Sequence, residues 1–116
     1  MPHILVMHSL GENLHPQELL PALHERLCNF ESVKPTTVKT YELPIQTCVV
    51  GVESDPADMI HIQVRMKPGR GEEVKKEMAQ ALHDYTRGFI DGLRVAATVS
   101  VEIHELDAPT YTSSHF

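Results

Sequence analysis

The chain has 116 residues, 41% hydrophobic and 22% charged, with a formal net charge of −6, which suits one domain able to bury its own core and leaves no basic face for nucleic acid. No apolar run approaches the ~20 residues of a membrane span, and the N-terminus lacks the basic and then apolar pattern of a secretory leader. The expectation is a cytoplasmic protein whose two cysteines, Cys28 and Cys48, stand apart from any CxxC spacing and read as reduced thiols packed in the core.

Pro2 opens the first element. A proline costs nothing at the first position of a strand, where its missing N–H has no ladder partner to serve, and residues 4–7, ILVM, read as a buried strand. The loop GENLHP leads into a helix over residues 16–31, with Leu19, Leu20, Leu23, Leu27 and Phe30 near helical spacing. Pro21 either kinks that helix or opens it after a separate lead-in at residues 16–20. Residues 36–50, TTVKTYELPIQTCVV, read as a strand interrupted at Pro44, and the turn GVESDPAD connects it as a hairpin to a strand over residues 59–66.

KPGRG introduces the best helix of the chain, residues 72–91, acidic in its first turn, with Val74, Met78, Ala81, Leu82, Tyr85 and Phe89 facing inward. Lys75 and Lys76 read as its solvated face, with Glu72 placed to support Lys76. ATVSVEIHEL is the last strand. The tail from Asp107 reads as a loop or a partner-contacting arm.

An internal repeat organises these elements. HILVMHSLGE from His3 aligns with HIQVRMKPGR from His61 at an offset of 58, and ALHER from Ala22 with ALHDY from Ala81 at an offset of 59. The chain therefore reads as one domain, residues 1–116, made of pseudo-repeat halves 1–58 and 59–116. The fold class is α+β: a β-α-β unit twice over, sharing a four-stranded mixed sheet with two helices on one face. HILVM and ATVSVEI carry apolar residues on both sides, so subunits are expected to pack on the other face.

Pro2 has a second reading beside the strand-opening one. An initiator methionine before a small residue is normally trimmed, and a trimmed chain begins with the secondary amine of Pro2. Held by a strand, such a nitrogen is fixed in place. Burial and nearby positive charge both disfavour its protonated form, which tunes it as a general base. Arg70, in the Gly69–Gly71 turn, and Lys39, near the start of the second strand, are the candidate cations to hold an acidic substrate and spread the charge that builds up as an enol or enolate forms. The eight histidines lack HxxxH or HExxH spacing, so no metal site is expected, and His3 and His61 read as packed, hydrogen-bonded residues.

Pro2-His3, MIHIQVRMKPGRGEE and SVEIHEL together resemble the 5-carboxymethyl-2-hydroxymuconate isomerase family of the tautomerase superfamily over nearly the whole chain. The resemblance implies a cofactor-independent homotrimer whose N-terminal proline shuttles a proton between carbon and oxygen of an unsaturated 2-hydroxy or 2-oxo acid from aromatic-ring breakdown. It places the base on Pro2 and the loop arginine on Arg70. The family's strand arginine falls on Lys39, which keeps the charge and loses the bidentate fork. Where the family often carries lysine and asparagine near its C-terminus, this chain reads TYTSSHF. The rival reading is a non-enzymatic ferredoxin-like binding module, which has the same element order and needs no free Pro2.

Overall fold

The computed structural model describes residues 1–52 and 57–116. Six main elements alternate along the chain: β1 (His3–His8), α1 (Pro16–Cys28), β2 (Lys39–Pro44), β3 (Asp58–Met66), α2 (Glu72–Leu93) and β4 (Ala97–Glu105), with short 3-10 turns at Gly11–Leu14, Pro35–Thr37 and Ala108–Thr110. The sheet order is β2-β1-β3-β4. β1 runs parallel to β2 and antiparallel to β3, and β3 runs parallel to β4. The parallel strands of each β-α-β unit are thus direct neighbours, unlike the split arrangement of a ferredoxin-like domain.

One face of the sheet and both helices form a single core. Ile4 and Val6 of β1 and Ile60, Ile62, Val64 and Met66 of β3 are buried with Leu19, Leu23 and Leu27 of α1 and Met78, Leu82 and Ile90 of α2. Thr86 joins them because its hydroxyl donates to the Leu82 carbonyl at 2.7 Å, leaving no orphaned polar atom. Leu82 is fully buried. Leu82→Ala is expected to lower the unfolding free energy by about 3 kcal/mol through lost transfer energy and the cavity left behind, read as a lower urea midpoint at unchanged slope.

Several sequence readings need correction. The hairpin between β2 and β3 does not form, because β1 lies between them. The strand with four buried residues, β3, takes an inner position, whereas β2, with Lys39, Thr40, Tyr41 and Glu42 in succession, suits the edge. The expected turn falls largely on residues 53–56, outside the described residues. β2 stops at Pro44 rather than continuing to residue 50, and α1 ends at Cys28, so Phe30 packs from the following turn. Pro21 stays inside a continuous α1 at an exposed position, where the carbonyl it leaves without a donor is open to water.

β4 is apolar on one side only. Ala97, Val99, Val101 and Ile103 pack against the core while Thr98, Ser100, Glu102 and His104 are exposed. The apolar part of the second sheet face is therefore confined to Leu5 and Met7 of β1, Tyr41 and Leu43 of β2, and Met59 of β3, with Tyr41 and Leu43 the more exposed. His3 and His61 lie on this face as hydrogen-bonded residues, His3 to the Tyr41 hydroxyl at 3.1 Å and His61 to the Ser100 hydroxyl at 2.7 Å. Cys28 is half-buried against the core, and burial pushes its thiol up; Cys48 is exposed and takes no part in packing. The lysine gripped by Glu72 is Lys75, at 3.1 Å, and it also reaches Glu105 at 2.9 Å.

Candidate active site

The sheet register builds the site at the N-terminal end of β1. His3 is paired with Lys39 on one side and Arg65 on the other. Pro2, one residue earlier, is buried, and its carbonyl accepts the Lys39 N–H at 3.0 Å. Its position is thereby fixed between the start of β2 and the end of β3. The chain leaves β3 at Met66, and the Lys67–Gly71 loop carries Arg70 back over this end of the sheet before α2 begins. A cleft of about 410 Å³ opens there, lined by Pro2, Lys67 and Arg70 with Ser32 and Lys34 from the α1–β2 connection and Tyr111 from the tail.

Met1 also lines this cleft, and its amino group donates to the Thr37 carbonyl at 3.1 Å. While Met1 is attached, the Pro2 nitrogen is an amide whose lone pair is delocalised, and it can take no proton. Loss of Met1 would place a secondary amine on the cleft wall.

Arg70 is held by neutral oxygens alone. Its Nε donates to Ser32 Oγ at 2.9 Å, one terminal nitrogen donates to the Ser32 carbonyl at 2.6 Å, and the other reaches the Lys67 carbonyl at 3.5 Å. Among the described residues no carboxylate lies within ion-pair distance of Arg70, although its charge is among those that hold the Glu105 carboxyl down. The cleft lining contains no aspartate or glutamate. In a chain with a net charge of −6 that is a local inversion of sign, which favours an anionic ligand.

The Met1 amino group is held below its ordinary value of 8.0, first by burial and then by the charges of Lys39 and Lys67. His3 is likewise lowered, by burial first and then by the N-terminal charge, Lys39 and Arg65. Lys39 does not line the cleft; it stands exposed at the head of β2, and its charge reaches the terminus from there. The structure thus brings Pro2 and Arg70 into one cleft and leaves Lys39 beside it. Ser32 and Lys34, which the sequence reading passed over, belong to the lining, and so does Tyr111. Lys34 sits in an irregular connection with no periodic signal, so only the folded chain shows where it goes. Among the described residues no cluster of metal-ligating side chains occurs.

This arrangement is that of a defined class. Two β-α-β units on a mixed 2-1-3-4 sheet constitute the fold of the tautomerase superfamily. Within that class, the chain belongs to the 5-carboxymethyl-2-hydroxymuconate isomerase family, whose model matches residues 2–115, and it is an isomerase by that membership. It is similar in fold to the crystal structure of a 5-carboxymethyl-2-hydroxymuconate isomerase from Deinococcus radiodurans R1, with a TM-score of 0.85 at 22% identity over 99% of this chain and 90% of that one. A 5-carboxymethyl-2-hydroxymuconate delta-isomerase superposes with a TM-score of 0.86 at 16% identity, covering 100% of this chain and 89% of the other. A fused 4-OT wild-type symmetric trimer gives a TM-score of 0.70 at 15% identity, covering 97% and 93%. No curated protein matches the chain in sequence.

Proposed function

We propose that the mature chain begins at Pro2 and catalyses enol–keto proton transfer on an unsaturated 2-hydroxy or 2-oxo acid such as 5-carboxymethyl-2-hydroxymuconate, as part of aromatic catabolism in the cytoplasm. The observation that carries this reading is the convergence of Pro2 and Arg70 in one cleft free of carboxylates. The Pro2 amine takes the proton that leaves oxygen or carbon of the substrate and returns it at the other atom, so one group serves as base and then as acid. Arg70 holds a carboxylate and stabilises the charge that builds on the dienolate. Lys39 contributes positive potential from beside the cleft, favouring the neutral amine. A homotrimer is part of the proposal, its support being the apolar patch of Leu5, Met7, Tyr41 and Leu43 on the uncovered sheet face.

The test is a tautomerisation assay on 5-carboxymethyl-2-hydroxymuconate with intact-mass measurement of the same sample. Turnover by chains lacking Met1 supports the proposal. Full retention of Met1 in the native host, or no ketonisation by trimmed chains, would overturn it.

A pH dependence follows from the direction of the amine shift. The base must be neutral, so kcat/KM falls as pH drops through its pKa; the Met1 amino group at this place is held low by burial and by the charges of Lys39 and Lys67, and the buried Pro2 nitrogen exposed by trimming would meet the same two influences. The acidic limb is expected to lie below the pKa of the same nitrogen in the free peptide Pro-His-Ile. Titration of the two by NMR checks it. A limb at or above the peptide value would contradict the environment described.

A further inference from the structure

We propose that Lys75 is a positioning residue for Arg70: by holding the Glu105 carboxylate, it keeps that carboxylate from drawing the guanidinium out of the cleft. This rests on the proton-transfer reading above, in which Arg70 meets the acid, and goes beyond it by giving a task to an ion pair outside the cleft.

The loop that carries Arg70 has little main chain to hold it. Among the described residues, none of residues 67–70 makes a backbone–backbone hydrogen bond. On one side of them the Met66 carbonyl accepts the Leu106 N–H at 2.7 Å; on the other the Gly71 carbonyl accepts the Lys75 N–H at 3.2 Å. Gly69, between these points, has a φ of 123°, a conformation open to glycine and strained for other residues. Side chains therefore decide where the loop lies. Arg70 grips the Ser32 hydroxyl and carbonyl at 2.9 and 2.6 Å. Glu105, at the end of β4, stands opposite Met66 in the strand register, beside the point where the loop departs. Lys75, near the start of α2, donates to it at 2.9 Å and to Glu72 at 3.1 Å. The pair thus ties the strand before the loop to the helix after it.

Two cations compete for the Glu105 carboxylate. The Lys75 hydrogen bond is the foremost influence holding its carboxyl below the ordinary value of 4.5; burial opposes it, and the Lys75 charge, the Gly69 N–H and the Arg70 charge add to it. Glu105 thus feels Arg70 without pairing with it and lies outside the cleft lining. Without the ammonium of Lys75, Arg70 becomes the cation left to answer this carboxylate. A guanidinium drawn to Glu105 gives up the Ser32 oxygens and turns from an anion in the cleft. Substrate and Glu105 then compete for one group, and bound substrate has won it back, so the effect falls on KM rather than kcat.

The test compares trimmed wild type with Lys75→Met, Glu105→Gln and the double variant on 5-carboxymethyl-2-hydroxymuconate. Lys75→Met keeps an apolar stem and removes the charge. It is expected to raise KM about threefold to fivefold with kcat unchanged, the scale of an ion pair between partly exposed groups. Glu105→Gln breaks the same pair but leaves no carboxylate to capture Arg70, so its KM should stay within about twofold of wild type, and the double variant should return to that level. A pair that only braces the fold predicts equal losses in the two single variants and no recovery in the double. That result, a loss in kcat at unchanged KM, or wild-type kinetics in Lys75→Met, would overturn the proposal. The Arg70 Nε–H resonance supplies a readout that needs no turnover: it should move in Lys75→Met and return in the double variant. If wild type converts no enol, the proton-transfer reading fails and this resonance decides; a signal unmoved in Lys75→Met, or still displaced in the double variant, overturns the proposal. Should Lys75→Met fail to fold, Lys75→Gln takes its place in every comparison.

Discussion

A chain whose first methionine cannot be removed is expected to lose about 10²–10⁴-fold in kcat on 5-carboxymethyl-2-hydroxymuconate, the usual contribution of a positioned general base. Inserting leucine between Met1 and Pro2 makes such a chain, since methionine is retained before a large residue, and the Pro2 nitrogen stays an amide. The β1 ladder begins at His3, and Pro2 contributes only its carbonyl to β2. The fold should therefore survive, with circular dichroism and sedimentation unchanged. Pro2→Ala separates the lone pair from the space around it. Trimmed, it leaves a primary amine at the same place and should keep a larger part of the rate than the insertion. An extended chain that turns over at the wild-type rate would remove the amine from the mechanism.

Arg70→Ala is expected to lower kcat/KM by about 10²–10³-fold, the range seen when a donor that stabilises developing charge is removed. The guanidinium has no carboxylate partner among the described residues, so its removal leaves no buried charge unpaired. It frees only the Ser32 and Lys67 oxygens at an accessible surface. Stability should change by less than about 1 kcal/mol. Arg70→Lys should fall between, because an ammonium keeps the charge and loses the planar fork that meets a carboxylate with two hydrogen bonds. Rates for Arg70→Ala within threefold of wild type, at preserved thermal stability, would show that the arginine does not touch the reacting acid.

The two predictions address two residues of one cleft, Pro2 at the start of β1 and Arg70 in the loop after β3. Lys34, Lys39, Arg65, Lys67 and Arg70 gather around the start of β1 in a chain whose net charge is −6, a local field that favours an anionic ligand.

Much of this was readable before folding. The apolar run over residues 4–7, the alternation of MIHIQVRM and a 3.6-residue period over 72–91 identified two strands and the longer helix, because burial imposes its pattern on the sequence directly. Pro2 and Arg70 were singled out for a different reason: one opens a strand, the other sits in the loop after one, and the resemblance supplies both positions. What the chain order concealed was which strands pair. β2 and β3 are successive and both β-branched, which suggests a hairpin, yet β1 lies between them. Pairing is decided by how much apolar surface each order buries against two helices, a quantity spread over the whole molecule.

The sequence by itself determined the order of the six main elements and the inward faces of both helices, since each depends on local pattern. Only the tertiary structure decided the sheet order, the exposure of Cys48, the partner of Lys75 and the arrival of Ser32 and Lys34 at the cleft. Those follow from contacts between residues far apart in the chain, such as Arg70 with Ser32 and Pro2 with Lys39. No local period encodes such contacts, because they form when two separate segments are brought together by the burial of a third.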